Sequence, residues 1–240
     1  MGPQLTSTAV IWHDLECGAY TADLPFWREL VAAAAVGPVL EIGAGTGRVT
    51  IDLARHGHTI IALERDRALA DELRRRAGAL PVSVICADAC DFALTTTAGC
   101  CIVPMQTVQL LADRPAFLRC ARAALRPGAM LALAVLGADV QPFEAELAAD
   151  QAERDGVFYA SAPTALRETP EAVILERRRV ITGAAGSDVS LDVARLARVD
   201  APTLAGEAAA AGFAERGSLL IAPTDQHAGS AVLLFEALAP

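Results

Sequence analysis

The chain has 240 residues, 53% hydrophobic and 20% charged, which suits a well-packed globule and argues against disorder. That length accommodates one large domain, or one domain with an insertion. The net charge of −9 argues against a general nucleic-acid binder, because a basic surface would be needed to neutralise phosphates.

The N-terminal "MGPQLTSTAVIWHDLECG" has no basic flank leading into a long apolar run, so it does not read as a signal peptide. The apolar stretch "VAAAAVGPVL" is broken by Gly37 and Pro38, too short to span a membrane, and a cytoplasmic location is expected. From residue 38 the pattern alternates. "PVLEIG" (38–43) is a strand and "TGRVTIDLARHG" (46–57) an amphipathic helix. "HTIIALE" (58–64) is a second strand, "RDRALADELRRRAG" (65–78) a helix, and "VSVICAD" (82–88) a third strand. "CCIVPM" (100–105) is a fourth strand, in which Cys100 and Cys101 read as buried thiols. None of the six cysteines forms a C-x-x-C pair, so no zinc or other metal site is expected. "RPAFLRCARAALRPG" (114–128) is a helix with a Pro-Gly stop, and "AMLALAVLG" (129–137) a fifth strand.

Continuous apolar strands alternating with helices predict an α/β, doubly wound, mostly parallel sheet. Past residue 137, "GVFYASAPTALRE" (156–168), "AVILERRRVIT" (172–182) and "SDVSLDVARLARVD" (187–200) read as antiparallel strands. They are expected to form an inserted antiparallel β cap over residues 138–200 within a single domain spanning 1–240. "TLAGEAAAAGF" (203–213) is a short helix, and "SLLIAPT" (218–224) and "SAVLLFEAL" (230–238) are the last two strands.

The chemistry gathers at the carboxyl ends of the parallel strands, where such sheets bind ligands. Gly43, Gly45 and Gly47 give G-x-G-x-G, a turn in which the backbone can bend tightly and approach a ligand. A dinucleotide fold calls for G-x-G-x-x-G, and Glu41 would face a diphosphate badly while suiting a positive amino group. Glu64, about 20 residues beyond the first glycine, stands where an acid accepts from ribose hydroxyls. Asp88, ending the third strand, can accept from an exocyclic amine such as that of adenine.

With these residues in place, the chain resembles the class I S-adenosylmethionine-dependent methyltransferases, of the small-molecule type. "VLEIGAGTGRVT" is similar to their first motif, "IIALERD" to the acidic motif that follows, "VICADACDF" to the adenine motif, and "ALRPGAMLAL" to the late helix-turn-strand motif. The resemblance implies a Rossmann-like seven-stranded sheet, mostly parallel with one antiparallel strand among the last two, and S-adenosyl-L-methionine as cofactor. It implies that Glu41, Gly43, Ala44, Gly45 and Gly47 surround the methionine part, that Glu64 holds the ribose with Arg65 beside the adenine, and that Asp88 and the Ala89 backbone read the adenine edge. Pro104 would place a carbonyl near the cofactor amine. The segment over residues 1–35 resembles the helical lid that lies over the cofactor in many small-molecule members.

The acceptor side is less defined. The fourth-strand segment "VPMQTVQLL" lacks the Asn/Asp-Pro-Pro-aromatic motif often carried by enzymes that methylate nucleic-acid bases or glutamine. With only Asp113 near that edge, the carboxylate cluster of metal-dependent catechol-type enzymes is missing too. Tyr20 is the candidate for a group near the sulfonium, with Trp27 packing behind it; both could equally be packing aromatics. His227, in the connector of the last two strands, is a second catalytic candidate, or an exposed turn histidine. Met105, Gln106 and Tyr159 are candidates for the acceptor pocket. The Arg177–Arg179 run reads mainly as solvated edge charge, since alternate strand residues face opposite sides.

The leading expectation is methyl transfer to a small-molecule N, O or C nucleophile, chiefly by proximity and orientation. The alternative is intramolecular attack by the cofactor's own amino group, with release of methylthioadenosine. A dehydrogenase and a non-catalytic cofactor-binding protein are further alternatives, the first disfavoured by the glycine spacing and Glu41. The partners expected are a small-molecule acceptor, without nucleic acid or membrane. The oligomeric state is open, a homodimer being one option.

Overall fold

The computed structural model describes residues 6–34, 36–136, 141–224 and 227–239. Residues 1–5 and 35 of the expected lid, 137 at the end of the expected fifth strand and 138–140 at the start of the expected cap lie outside these. In chain order the elements are α1 (Thr8–His13), a π-helical turn (Asp14–Gly18), α2 (Leu24–Ala34), β1 (Val39–Ile42), α3 (Arg48–Arg55), β2 (Ile60–Glu64), α4 (Arg67–Ala77), β3 (Val82–Cys86) and β4 (Ala98–Val103). Then come α5 (Thr107–Leu110), α6 (Arg114–Ala124), β5 (Leu125–Leu136), β6 (Phe143–Glu144), β7 (Asp150–Arg154), β8 (Val157–Glu168), β9 (Ala172–Gly183), β10 (Gly186–Ala197), α7 (Ala201–Ala210), β11 (Phe213–Ile221) and β12 (Ser230–Ala237). They fall into two compact units: Thr21–Ala138 with Val199–Pro240, and Met1–Tyr20 with Asp139–Arg198.

The first unit holds a seven-stranded sheet in the order β11-β12-β5-β4-β1-β2-β3. β1 pairs in parallel with β2 and β4, β2 with β3, and β4 with β5, whereas β12 runs antiparallel to β5 and β11. This is the mostly parallel Rossmann-like sheet with one antiparallel strand. The chain winds from β1 outward to β3, then returns to β4 on the other side of β1, so the switch point lies between β1 and β4. β1, β2 and β4 are buried along their whole length, as expected of central strands covered on both faces. Helix starts are fixed by acidic caps: Asp66 accepts from the Ala68 and Leu69 N–H groups, Asp113 from Ala116, and Asp200 from Thr203. Cys100 and Cys101 are fully buried in β4, and burial pushes the Cys100 thiol up to about 12.

Two boundaries differ from the sequence expectation. The helix expected to run to 128 ends at Ala124, and β5 begins at Leu125. Leu125 pairs with Ala98, and the ladder resumes at Met130 opposite Cys100. Pro127, which has no N–H to donate, and Gly128, with φ +77°, occupy the irregularity between them. Near the C-terminus, α7 starts at Ala201 with Pro202 in its first turn, and β11 begins at Phe213 rather than 218. The polar Glu215-Arg216-Gly217 interruption is a bulge within one strand, with Gly217 at φ +112°.

The second unit is an antiparallel sheet in the order β10-β9-β8-β6, with β7 also pairing to β8. The three long strands match those expected over 156–200. The short β6 and β7 were not anticipated, because "FE" and the charged "DQAER" show no apolar alternation. Trp12 packs edge-on against Tyr159, ring centroids 5.5 Å apart, in a small cluster with Ile11. In the π-helical turn, Glu16 accepts two bonds from the Arg179 guanidinium at 2.7 Å each and one from the buried Ser161 hydroxyl at 2.8 Å. Arg179 also pairs with Asp192 at 2.8 Å and lies over the Trp12 ring. The middle arginine of the run, Arg178, pairs instead with Glu146.

Candidate functional site

The site forms where β1, β2, β3 and β4 end. The turn after β1 carries three glycines in the left-handed region, Gly43 at φ +70°, Gly45 at +56° and Gly47 at +99°. Two are also required by close packing. A Cβ on Gly43 would fall 2.5 Å from Thr107 Cγ2, and one on Gly47 would fall 2.3 Å from Leu73 Cδ1. The Gly43 and Ala44 N–H groups both donate to the Leu63 carbonyl, which fastens the turn to the end of β2.

Glu64 is the last residue of β2 and nearly buried. One carboxylate oxygen accepts from the Gly45 N–H at 2.9 Å and the other from the Asp66 N–H at 2.8 Å. Each oxygen retains a lone pair for one further donor. This bears on the choice of nucleotide. The Gly45 N–H that a pyrophosphate would use is engaged by an anion, and that anion would repel a diphosphate. Two adjacent carboxylate oxygens, each with a lone pair, suit two neighbouring ribose hydroxyls.

Glu41 lies inside β1 and is buried. Thr50 Oγ1 in α3 donates to its Oε2 at 2.5 Å. Burial pushes the carboxyl up to about 7, against the Thr50 hydrogen bond and the nearby Arg48 charge, while Asp23 and Glu64 push it further up. A cationic group brought close would favour the ionised form. Arg48, the first residue of α3, makes a bidentate ion pair with the buried Asp23, whose second oxygen lies 2.8 Å from Arg48 Nη2. Asp23 also accepts from the Trp27 indole N–H at 2.9 Å. Thr50, Arg48 and Asp23 were not singled out from sequence. Thr50 stands three residues past the last glycine on the buried face of α3, a signal that was available. Nothing in the spacing of Asp23 and Arg48 announces their pairing.

The adenine-side candidates follow β3. Asp88 is exposed, and its carboxylate accepts from the Cys90 N–H at 2.7 Å, while Ala89 is buried. Arg65 is exposed just past β2. Past β4, the Pro104 carbonyl accepts from Thr107 Oγ1 at 3.0 Å. Met105 takes φ +54°, uncommon for a residue with a side chain, and Gln106 stands at the N-cap position of α5 without a side-chain cap bond; both are half-buried. Gln109 reaches β5, its Oε1 accepting from the Leu136 N–H at 2.7 Å.

The remaining candidates are placed differently. Trp27 is fully buried with its N–H bonded to Asp23, so its contact is with the Asp23–Arg48 pair. Tyr20 and Tyr159 belong to the antiparallel unit, both buried, Tyr159 against Trp12. His227 sits in the turn before β12, its N–H donating to Thr224 Oγ1 at 3.0 Å and its carbonyl accepting from the Thr224 N–H at 2.9 Å. Asp113, the lone acid near the fourth strand, is occupied as the α6 cap. Among the described residues, no cluster of three or more His, Cys, Asp or Glu side chains could hold a metal ion. Nor, among them, is any helix long and apolar enough to cross a membrane.

Residues 39–128 match a family model described as a methyltransferase domain. No curated protein matches the chain. Among solved structures, the chain is similar to the sugar N-methyltransferase KedS8 from Streptoalloteichus sp ATCC 53650, with 18% identity, TM-score 0.76, and 100% of this chain and 96% of that chain covered. It is similar to S-adenosylmethionine-bound CalS10, an amino pentose methyltransferase from Micromonospora echinaspora involved in calicheamicin biosynthesis, with 18% identity, TM-score 0.71, and coverage of 97% and 99%. The CcbJ methyltransferase from Streptomyces caelestis is similar at 21% identity, TM-score 0.68, and coverage of 92% of each chain. The glycine turn and Glu64 thus lie within the stretch that matches the methyltransferase-domain model, residues 39–128, and the chain has the fold of these solved methyltransferases.

Proposed function

We propose that the protein transfers the methyl group of S-adenosyl-L-methionine to a small-molecule acceptor, and that the acceptor atom is an amine nitrogen of an amino sugar. The observation that carries the cofactor half is Glu64, a carboxylate bonded into the glycine turn through Gly45 and retaining acceptor capacity for a ribose. The acceptor half is supported by the similarity to a sugar N-methyltransferase and an amino pentose methyltransferase.

When bound, the cofactor supplies a methyl group already activated by its sulfonium. The chain's own residues then have to bind, orient and exclude water. Glu64 would hold the ribose, Glu41 and the Gly43–Gly47 backbone the methionine part, and Asp88 with the Ala89 N–H the adenine edge. Orientation of this kind can contribute about 7–11 kcal/mol to lowering a barrier. An amine that arrives unprotonated needs no base, and Tyr20 and His227 enter the proposal only as groups that orient it or take its proton. Met105, Gln106 and Tyr159 are proposed on the acceptor side.

The test is incubation with S-adenosylmethionine and a panel of amino sugars, followed by mass spectrometry. Methylated amine and S-adenosylhomocysteine in equal amounts support the proposal. S-adenosylhomocysteine formed only with hydroxyl or carbon acceptors would overturn the amine assignment alone. Methylthioadenosine formed without any acceptor would overturn methyl transfer in favour of intramolecular attack.

A further inference from the structure

We infer that Thr107 is a positioning residue for the amino-acid end of the cofactor: its hydroxyl aims the Pro104 carbonyl at the cofactor's amino group, and its methyl braces it against the glycine turn. This rests on the reading above that S-adenosyl-L-methionine binds where β1 and β4 end.

β1 and β4 are parallel neighbours, with Glu41 beside Ile102. Continuing that register past both strands sets Gly43 beside Pro104. A carboxylate and a carbonyl thus stand toward adjoining strand ends. An ammonium group has three donors and no acceptor, so it is held by oxygens gathered in this way. Pro104 is buried, and its ring fixes φ. The direction of its carbonyl is therefore set by the turn that follows.

That turn is strained at Met105, with φ +54°. A residue in this conformation persists only where its surroundings over-determine it. Thr107 Oγ1 donates to the Pro104 carbonyl at 3.0 Å, and the Gln109 N–H to the Gln106 carbonyl at 2.9 Å. Gln109 Oε1 accepts from the Leu136 N–H at 2.7 Å, which ties α5 to the end of β5. Val108, between Thr107 and Gln109, is fully buried in the core.

A hydroxyl bonded three residues back along the chain is by itself a common local arrangement. Thr107 differs in where the rest of its side chain lies. A Cβ on Gly43 would fall 2.5 Å from Thr107 Cγ2 and 2.9 Å from its Oγ1, so the side chain rests on the glycine turn itself. β-branched side chains are stiff about χ1, and the methyl set against Gly43 holds the hydroxyl toward Pro104. A carbonyl oxygen has two lone pairs, so the bond fixes its direction and leaves capacity for a further donor. One side chain thus joins the turn after β1 to the turn after β4.

Isothermal titration on the full chain tests this with two ligands. S-adenosylhomocysteine carries the amino group, whereas methylthioadenosine lacks the whole amino-acid part. Thr107→Val keeps the shape of the side chain and removes the hydroxyl; Thr107→Ser keeps the hydroxyl. The share of one hydrogen bond predicts S-adenosylhomocysteine affinity about 3–10-fold lower in Thr107→Val and within about twofold of wild type in Thr107→Ser. Methylthioadenosine affinity should be the same in all three. Thr107→Ala, smaller in every direction, should repeat the Thr107→Val result and replaces it if the valine does not fold. Unchanged S-adenosylhomocysteine affinity without the hydroxyl would overturn the inference. So would an equal loss of methylthioadenosine affinity, which marks a structural role alone, or a loss in Thr107→Ser as large as in Thr107→Val. None of these measurements needs an acceptor. A wild type that binds S-adenosylhomocysteine but methylates no amino sugar would count against the proposed function and leave the role of Thr107 standing.

Discussion

Thr50 Oγ1 donates to Glu41 Oε2 at 2.5 Å, joining the buried face of α3 to an acid in the middle of an otherwise apolar strand. Glu41 is pushed up to about 7 from 4.5, chiefly by burial. Between these values the folded chain holds a proton that the unfolded chain has lost. Stability from this group is therefore full below about pH 4.5 and falls as pH rises to about 7. The full span corresponds to about 3 kcal/mol. Urea denaturation of wild type against Glu41→Gln should show that downward slope in the former and lose it in the latter. Thr50→Val, which removes a bond to the ionised form, should move the slope to higher pH. If Glu41 faces the cofactor's amino group, the affinity for S-adenosylhomocysteine should rise from pH 6 to 8 in the wild type and stay flat in Glu41→Gln.

Glu64 is bonded into the glycine turn and is proposed to hold the ribose. In Glu64→Gln one oxygen becomes an N–H₂ group, which cannot accept from the Gly45 or Asp66 N–H. Hydrogen bonds to charged groups contribute about 1.5–3 kcal/mol, so cofactor affinity should fall by about 10–100-fold in isothermal titration. Binding unchanged in Glu64→Gln would separate this carboxylate from the ribose.

Asp23 is buried and bonded to both Arg48 and Trp27. Removing one partner of a buried ion pair costs about 3–5 kcal/mol, and Asp23→Ala should lower stability by that order. Asp23→Asn keeps an acceptor for the indole and should lose less. Chemical denaturation followed by Trp fluorescence measures both, since Trp27 reports on the same contact.

Gly47→Ala meets two obstacles: Leu73 Cδ1 at 2.3 Å from the new Cβ, and a φ of +99°. The first can be relieved by pairing it with Leu73→Ala and the second cannot. The single variant should lose about 1–2 kcal/mol or more for the backbone conformation alone. The Leu73→Ala background should recover only the steric share. Full recovery would mean that φ at this position contributes nothing.

The parallel half of the fold was legible because its strands are uninterrupted apolar runs and its helices have strong stops. The ends of those runs also carry the ligand-type acids: Glu64 closes β2, and Asp88 lies two residues past β3. Pairings between distant residues left no such trace. Asp23 with Arg48 and Glu16 with Arg179 join segments 25 and 163 residues apart, and no local period encodes them. The Pro127-Gly128 step misled for a physical reason. The same two residues that stop a helix also make a strand irregularity, and only the Ala98–Leu125 pairing decides between them. Trp27 gave a similar ambiguity. An aromatic beside a suspected lid reads as a pocket wall, but its N–H had an acid four residues upstream to bond.

Gly43 and Gly47 are held by demands from inside the protein, the Thr107 methyl on one side and the Leu73 side chain on the other. Neither demand involves a ligand. A descendant of this chain that had lost Glu64 would still lose stability on losing either glycine. The glycine signature is thus a record of architecture, and an inactive paralogue would display it as plainly as a working enzyme. On the role proposed for Glu64, telling the two apart in a related chain comes down to the acid at the end of the second strand.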